Sequence, residues 1–398
     1  MKRFLFFVTA LSLVSFVLSG CGKDDDIKTI SRQASDSNTS RPNPANNPDT
    51  LATPSENDST TVQGPIGTAD DPFLISTTAD WHHWMTLYAS DSSKYFQLTA
   101  PIMVSRPIDT FCGILDGNGQ VITISSHPVF KVVSGAIVKD LTVAGNVNVL
   151  TEDDLVSQWN LAGVYERYFG CIACKAVNDA LLENCISQVS IKLSSDYRCY
   201  ASPICGWLSH GVIDHCIVQG QVHLASGRLG GMSVSVDTGS IIRNSYYLGD
   251  LVGDDVEIGG IAFVANGGTI ENCFYYGSIT GRGSASAAGI AIRSKGGIID
   301  NCYYYGSISA SAQAGICYAA SSNGIVRYCY GTVEGGIRLV SNTNGGIVES
   351  CVALQNDHQL EMPGPYGSSE LIDELNSRVS QLDGARNWAM RDGIVSIR

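Results

Sequence analysis

Short apolar runs, two to five residues long and broken by Gly and Asn, recur along most of the chain. The fullest copies are GTIENCFYYGSI over 268–279 and GIIDNCYYYGSI over 297–308, centred on Cys273 and Cys302. Weaker copies centre on Leu141, Cys185, Cys216, Ser245, Cys329 and Cys351, and the eight centres are 44, 31, 29, 28, 29, 27 and 22 residues apart. A second phrase, Gly260-Ile261, Gly289-Ile290, Gly315-Ile316 and Gly336-Ile337, has earlier counterparts at Ile172, Ile204 and Met232. Its apolar residue lies 12 to 14 positions before each centre. None of these runs is long enough for a helix, and β-branched and aromatic residues fill them, so each reads as a strand. A unit of this size cannot bury its own apolar face, whereas stacked copies can. The pattern predicts an all-β solenoid, a single-stranded parallel β-helix. A propeller blade needs about four strands in roughly 40 residues, and leucine-rich repeats need a leucine spacing that is absent.

The punctuation fits that architecture. Asn184, Asn244, Asn272 and Asn301 precede their centres, where the left-handed backbone of a sharp corner suits Asn. Gly145, Gly220, Gly249, Gly277 and Gly306 follow four places after theirs and mark a further corner. Stacking equal positions puts Cys185, Cys216, Cys273, Cys302, Cys329 and Cys351 in one interior file. Parallel Cβ vectors on strands about 4.8 Å apart hold such thiols too far apart for relaxed disulfides, so free, packed cysteines are expected. Cys171 and Cys174, with Cys199 and Cys205 nearby, read as packing in preference to a zinc site or a local disulfide. Strand alternation turns Tyr247, Tyr275 and Tyr304 inward. It turns Tyr246, Phe274 and Tyr303 outward as an aromatic strip, with Tyr276 and Tyr305 beside it.

The ends carry different signals. Lys2 and Arg3 precede an apolar stretch from Phe4 to Val17, and Leu18-Ser19-Gly20-Cys21 follows, which resembles a bacterial lipobox with Cys21 as the acylated residue. The acidic run Asp24-Asp25-Asp26 resembles the surface-export signal of Bacteroidota lipoproteins. Both together imply a palmitate-type anchor in the outer membrane with the body facing the exterior. Ile27 to Gln63 is rich in Ser, Thr, Asn, Asp and Pro and too poor in apolar residues to fold, so it reads as a tether. The expected division is 1–20 signal peptide, 21–64 lipidated tether, 65–130 N-terminal cap and first coil, 131–356 repeats, and 357–398 C-terminal cap. The net charge is −13, and cleavage of the signal removes two bases and no acids, which disfavours nucleic acid as a partner.

The Gly-Ile phrase followed by Gly-x-Ile-x-Asn-Cys-Tyr is similar to the repeat of GLUG-motif surface proteins. The segments around Gly67 to Ile75, Phe111 to Ile122 and Leu371 to Gly393 resemble that family's N-terminal cap, first coil and C-terminal helix and strand. The resemblance implies a right-handed parallel β-helix with a helical cap near Ala79 to Tyr88, a hairpin-type turn at Asp116-Gly117-Asn118-Gly119, and a closing helix over Leu371 to Leu382.

No nucleophile elbow, zinc-protease signature or phosphate loop is present. The acidic group Asp250, Asp254, Asp255 and Glu257 reads as a solvated loop, with loose calcium as the less favoured alternative and no other cofactor or metal. His82 and His83 belong to the cap helix and read as surface residues. The contact candidates are the strip (Tyr246, Phe274, Tyr276, Tyr303, Tyr305) and the aromatics of the insertion from Leu150 to Gly170 (Trp159, Tyr165, Tyr168), since aromatic faces suit sugar rings or a partner protein. The expectation is a non-catalytic, adhesin-like or glycan-binding lipoprotein, its partners being the membrane through its lipid and a glycan or a host or bacterial surface protein. A β-helix polysaccharide lyase or glycoside hydrolase is the rival, and a structural spacer the third reading.

Overall fold

The computed structural model describes residues 64–148, 168–193, 198–332, 337–354, 369–391 and 394–397. Cys21, the signal and tether, Trp159 and Tyr165 lie outside the described residues. The chain forms a parallel β-helix. One coil shows the plan: strands Ala262–Asn266 and Thr269–Glu271, a corner, strands Phe274–Tyr276 and Ile279–Arg282, a second corner, then strand Ser286–Ala288. The next coil opens at Ala291–Lys295 and repeats the course. Among the described residues stacking makes three sheets, which we call A (18 strands, the first two of each coil), B (14 strands, the next two) and C (6 strands, the last).

The register is that of the sequence phrases. In sheet A, Leu115, Val138, Leu182, Ile213, Ile242, Ile270, Ile299 and Val326 pair one above another. All of them are fully buried. In sheet B, Ile186, Ile217, Tyr246, Phe274, Tyr303, Tyr330 and Val352 form one paired file. A one-residue slip would turn a whole strand inside out, so burial fixes this register.

The residue before each centre takes the left-handed conformation predicted for Asn: Asp140, Asn184, His215, Asn244, Asn272, Asn301, Tyr328 and Ser350 all have φ between 49° and 53°. The Asn members also bond along the stack. Asn301 Nδ2 donates to Asn272 Oδ1 at 2.9 Å, and Asn272 Nδ2 to Asn244 Oδ1 at 2.8 Å. The glycine file ending at Gly306 is not a corner between sheets, as its spacing had implied. It bends the path between two strands of sheet B, and at Gly277 a Cβ would run into the Gly249 carbonyl oxygen of the coil below.

The centre file is interior. Cys185, Cys216, Cys273, Cys302 and Cys329 are buried free thiols, and Cys351 is a half-buried one. Each satisfies its weak donor locally, as where Cys273 Sγ donates to Glu271 O at 3.1 Å. Burial pushes the Cys216, Cys302 and Cys329 thiols well above their ordinary range. Inside the same coils Tyr247, Tyr275 and Tyr304 are fully buried, as the alternation predicts. Their rings fill the space above Gly231, Gly260 and Gly289, where any side chain would collide with them. The conserved spacing of the Gly-Ile phrase thus has a packing cause.

Helix α1 (Thr78–Tyr88) starts at an N-cap Thr77 whose hydroxyl accepts from Asp80 N, while Asp80 accepts from the Thr77 N–H in return. It buries Trp81 and Met85. The Asp116-Gly117-Asn118-Gly119 turn has the two positive φ values of a tight hairpin, 49° and 69°. The flanking strands nevertheless diverge, Ile114–Asp116 into sheet A and Val121–Ser125 into sheet B, so it serves as a coil corner instead of a hairpin. Helix α2 (Ser369–Val379) precedes an antiparallel pair, Trp388–Arg391 with Ile394–Ile397.

Candidate functional site

The aromatic strip points out of the coils but does not meet solvent. Tyr246 stacks on Phe274 at 4.6 Å between ring centroids, and Phe274 and Tyr303 are each only 1% exposed. The cover is the C-terminal segment. Leu371, Ile372, Leu375 and Val379 share one face of α2 and pack with Trp388 and Ile397 against Phe274, Tyr303 and Tyr330. Polar contacts fix the seat: Arg378 reaches Asp300 at 2.9 Å, and Asn272 Nδ2 donates to Arg386 O at 2.8 Å. Asn244 Nδ2 donates to Gly384 O at 3.0 Å, and Asn244 Oδ1 accepts from Arg386 N at 2.9 Å. The strip expected as an open contact surface is therefore an intramolecular interface, with Tyr276 and Tyr305 half-buried at its margin and stacked at 5.7 Å. Apolar rings in register are as good a seat for the chain's own helix as for a ligand.

The acidic group is not a loop. Leu251–Asp254 and Val256–Gly259 are strands of sheets B and C meeting at left-handed Asp255, and each carboxylate has partners in a neighbouring coil. Asp250 accepts from Ser278 N and Oγ, and Asp255 from Ser284 N and Oγ. Asp254 takes His223 at 3.0 Å and Arg282 at 3.1 Å; Glu257 takes Arg228 at 3.3 Å and Arg293. The hydrogen bonds from His223 and Ser284 hold the Asp254 and Asp255 carboxyls below their ordinary range. Among the described residues no group of three or more His, Cys, Asp or Glu is arranged to hold a metal ion. Cys171, Cys174 and Cys205 are buried free thiols, with burial pushing Cys174 up to about 12, and Cys199 is buried as well.

One outward surface combines aromatic and charged groups: the elbow where sheet C meets sheet A. Tyr168, the last of the insertion aromatics, opens sheet C and pairs in register with Tyr200, which pairs with Arg228, which pairs with Glu257. Across the elbow, sheet A aligns Lys175, Trp207, Ser235, Val264 and Arg293. Tyr168 meets Tyr200 edge-on at 5.4 Å and stacks with Trp207 at 6.0 Å. Lys175 lies 4.8 Å over the Trp207 ring, and Arg228 lies 4.8 Å over Tyr200 and 4.6 Å over Phe263. Burial lowers the Lys175 ammonium below its ordinary range, so its charge is held by its surroundings at a cost. Trp207 Nε1 donates to Asp237 Oδ2 at 2.6 Å, which orients the indole.

Tyr168, Tyr200 and Phe263 are buried beneath this elbow, and what it presents is the half-buried Trp207 ring with the half-buried Lys175, Arg228 and Arg293 and the Glu257 carboxylate, groups of the kind that recognise polyhydroxylated rings. Of its residues the sequence singles out Tyr168 as a contact candidate and Glu257 as part of the acidic group. After Tyr168 and Tyr200 this file of sheet C runs Arg228, Glu257, Ser286 and Ala312, so no repeat betrays it. The signal available was the second and third residue after each Gly-Ile phrase, where Trp207, Phe263, Val264 and Arg293 stand.

No protein-family model matches the chain, and no curated protein matches it. Among solved structures, the crystal structure of a putative immunoglobulin A1 protease from Bacteroides ovatus is similar at 15% identity and a TM-score of 0.45, covering 83% of this chain and 94% of that one.

Proposed function

We propose that this chain is a non-catalytic, lipid-anchored surface protein of the GLUG-motif type whose solenoid presents the sheet C–sheet A elbow to a glycan. The observation that carries the reading is a pair of adjacent in-register files, Tyr168, Tyr200 and Arg228 in sheet C and Lys175, Trp207 and Arg293 in sheet A, of which Lys175, Trp207, Arg228 and Arg293 are half-buried. It follows directly on the insertion that the sequence marks over Leu150 to Gly170. The anchor is the lipid on Cys21, and the location is the outer membrane with the body outward. No nucleic acid is involved. The non-catalytic reading is supported by the carboxylates: Asp254 and Glu257 are each committed to two basic partners, whereas a hydrolase needs a carboxyl free to give or take a proton.

The test is a glycan array with the purified protein, repeated with Trp207→Ala and Arg293→Gln. Binding that both variants reduce by roughly tenfold or more, with unchanged thermal unfolding, is the expected result. Binding untouched by both would sink the elbow. Release of unsaturated or reducing sugar from any bound polysaccharide would replace a binding protein with a lyase or hydrolase. Palmitate labelling that survives Cys21→Ser would remove the anchor from the account.

A further inference from the structure

A second cleft lies one coil on the N-terminal side of the elbow: its Lys131 is next in sequence to Val132, which pairs with the elbow's Lys175, and none of the elbow's own residues lines it. Strand Ile108–Phe111 pairs only with Phe130–Ser134 among the described strands. Its other edge is closed by the α1 end of the cap, where Cys112 N donates to Ala89 O at 2.8 Å. A helix laid along a strand edge cannot fill the angle between them, and a cleft of 760 Å³ remains, within the range that holds small ligands.

The lining has a definite chemistry. Arg106 and Lys131 supply two cations, and His82 stands on the helix side. Lys131 is paired with Asp109 at 2.7 Å, but the Asp109 side chain is 83% exposed. It therefore screens Lys131 only partly, and the cleft keeps a net positive charge on a protein whose total is −13. The lining also includes the apolar Met85, Pro107 and Ile108 and the hydroxyls of Thr86 and Thr110. A ligand suited to it has one carboxylate, an apolar ring face and a hydroxylated edge.

We propose that this cleft binds a carboxylated saccharide of the uronate class. The carboxylate sits on the Arg106 guanidinium with Lys131 beside it, and the C–H face of the ring lies on Pro107 and Ile108. The sequence showed His82 as an unassigned surface residue; here it is the third polar group of the wall.

The test uses the purified full chain with D-glucuronate, D-glucose and inorganic phosphate as probes, read by ligand-observed NMR. Glucuronate should bind, glucose should bind at least about tenfold more weakly, and Arg106→Gln should weaken glucuronate by a similar factor while leaving unfolding unchanged, since Arg106 is exposed. Lys131→Gln should act in the same direction, and Trp207→Ala should have no effect. Equal binding of glucose, binding of phosphate as tight as that of glucuronate, no binding of glucuronate, or indifference to Arg106→Gln would each overturn the proposal. Loss through Trp207→Ala would move the acid to the elbow and overturn it too. Failure of the elbow leaves these outcomes untouched, because the two sites share no residue.

Discussion

Asn272 meets three demands with one side chain. It holds φ at 51°, donates along the stack to Asn244 and outward to Arg386 O, and accepts from Asn301. Both Asn272→Ala and Asn272→Gly lose the hydrogen bonds, but only alanine also carries the left-handed penalty of roughly 1 kcal/mol. Urea unfolding should therefore rank wild type above Asn272→Gly above Asn272→Ala, with the alanine variant down by about 2–4 kcal/mol. An equal loss in both would mean that backbone conformation is not part of the role. Ile270, fully buried in the sheet A file, should cost about 2–5 kcal/mol as Ile270→Ala in the same assay.

Glu271 gives a pH signature at the same scale. Burial raises its carboxyl above the ordinary range, against the pull of Arg243, with Asp300, Asp383 and Asp214 adding to the rise. A carboxyl raised on folding binds more protons in the native state than in the unfolded one between its two pKa values. Its contribution therefore favours the fold below the unfolded pKa and is lost as pH climbs through the folded one. Glu271→Gln should unfold at a higher temperature than wild type at pH 7, with the gap closing as the solution is acidified below the ordinary carboxylate range. A gap that is constant with pH would show that the charge is not the cause.

At the scale of elements, α2 and the strand pair after it act as a strap over sheet B. Asp300 is 1% exposed on its side chain and is neutralised by Arg327 at 2.8 Å from its own sheet and by Arg378 from the strap. Leu375, fully buried against the strip, is the point where the strap is most sensitive. Leu375→Asp should release it: trypsin should cut within 369–391 far faster, a hydrophobic dye should bind the bared rings of Phe274 and Tyr303, and the solenoid should still unfold cooperatively. If the whole body became protease-sensitive instead, the strap would be part of the solenoid's own stability. The sequence showed the strip and showed the helix, but the bonds that join them span 78 to 142 residues, as from Arg378 to Asp300 and from Arg386 to Asn244. Local periodicity carries no information at that range, and so the strip looked like an open surface.

For the whole molecule, what was legible is what repeats. The eight centres, the Asn corners and the inward tyrosines follow from spacing alone, because a stack turns equal positions into files and burial punishes any slip. What did not repeat was hidden: the elbow changes residue in every coil after Tyr200, and the cleft beside α1 depends on how a cap meets a strand edge. The shared claim beneath both is the register, and the cysteine file reports on it coil by coil. A coil displaced by one residue would turn its thiol to the outside. Mass spectrometry after maleimide treatment, without reductant, should find Cys185, Cys216, Cys273, Cys302 and Cys329 unmodified in the native protein and all modified once it is denatured. Rapid native labelling of any one of them, or failure of any to label after denaturation, would contradict a stack of in-register coils with free interior thiols.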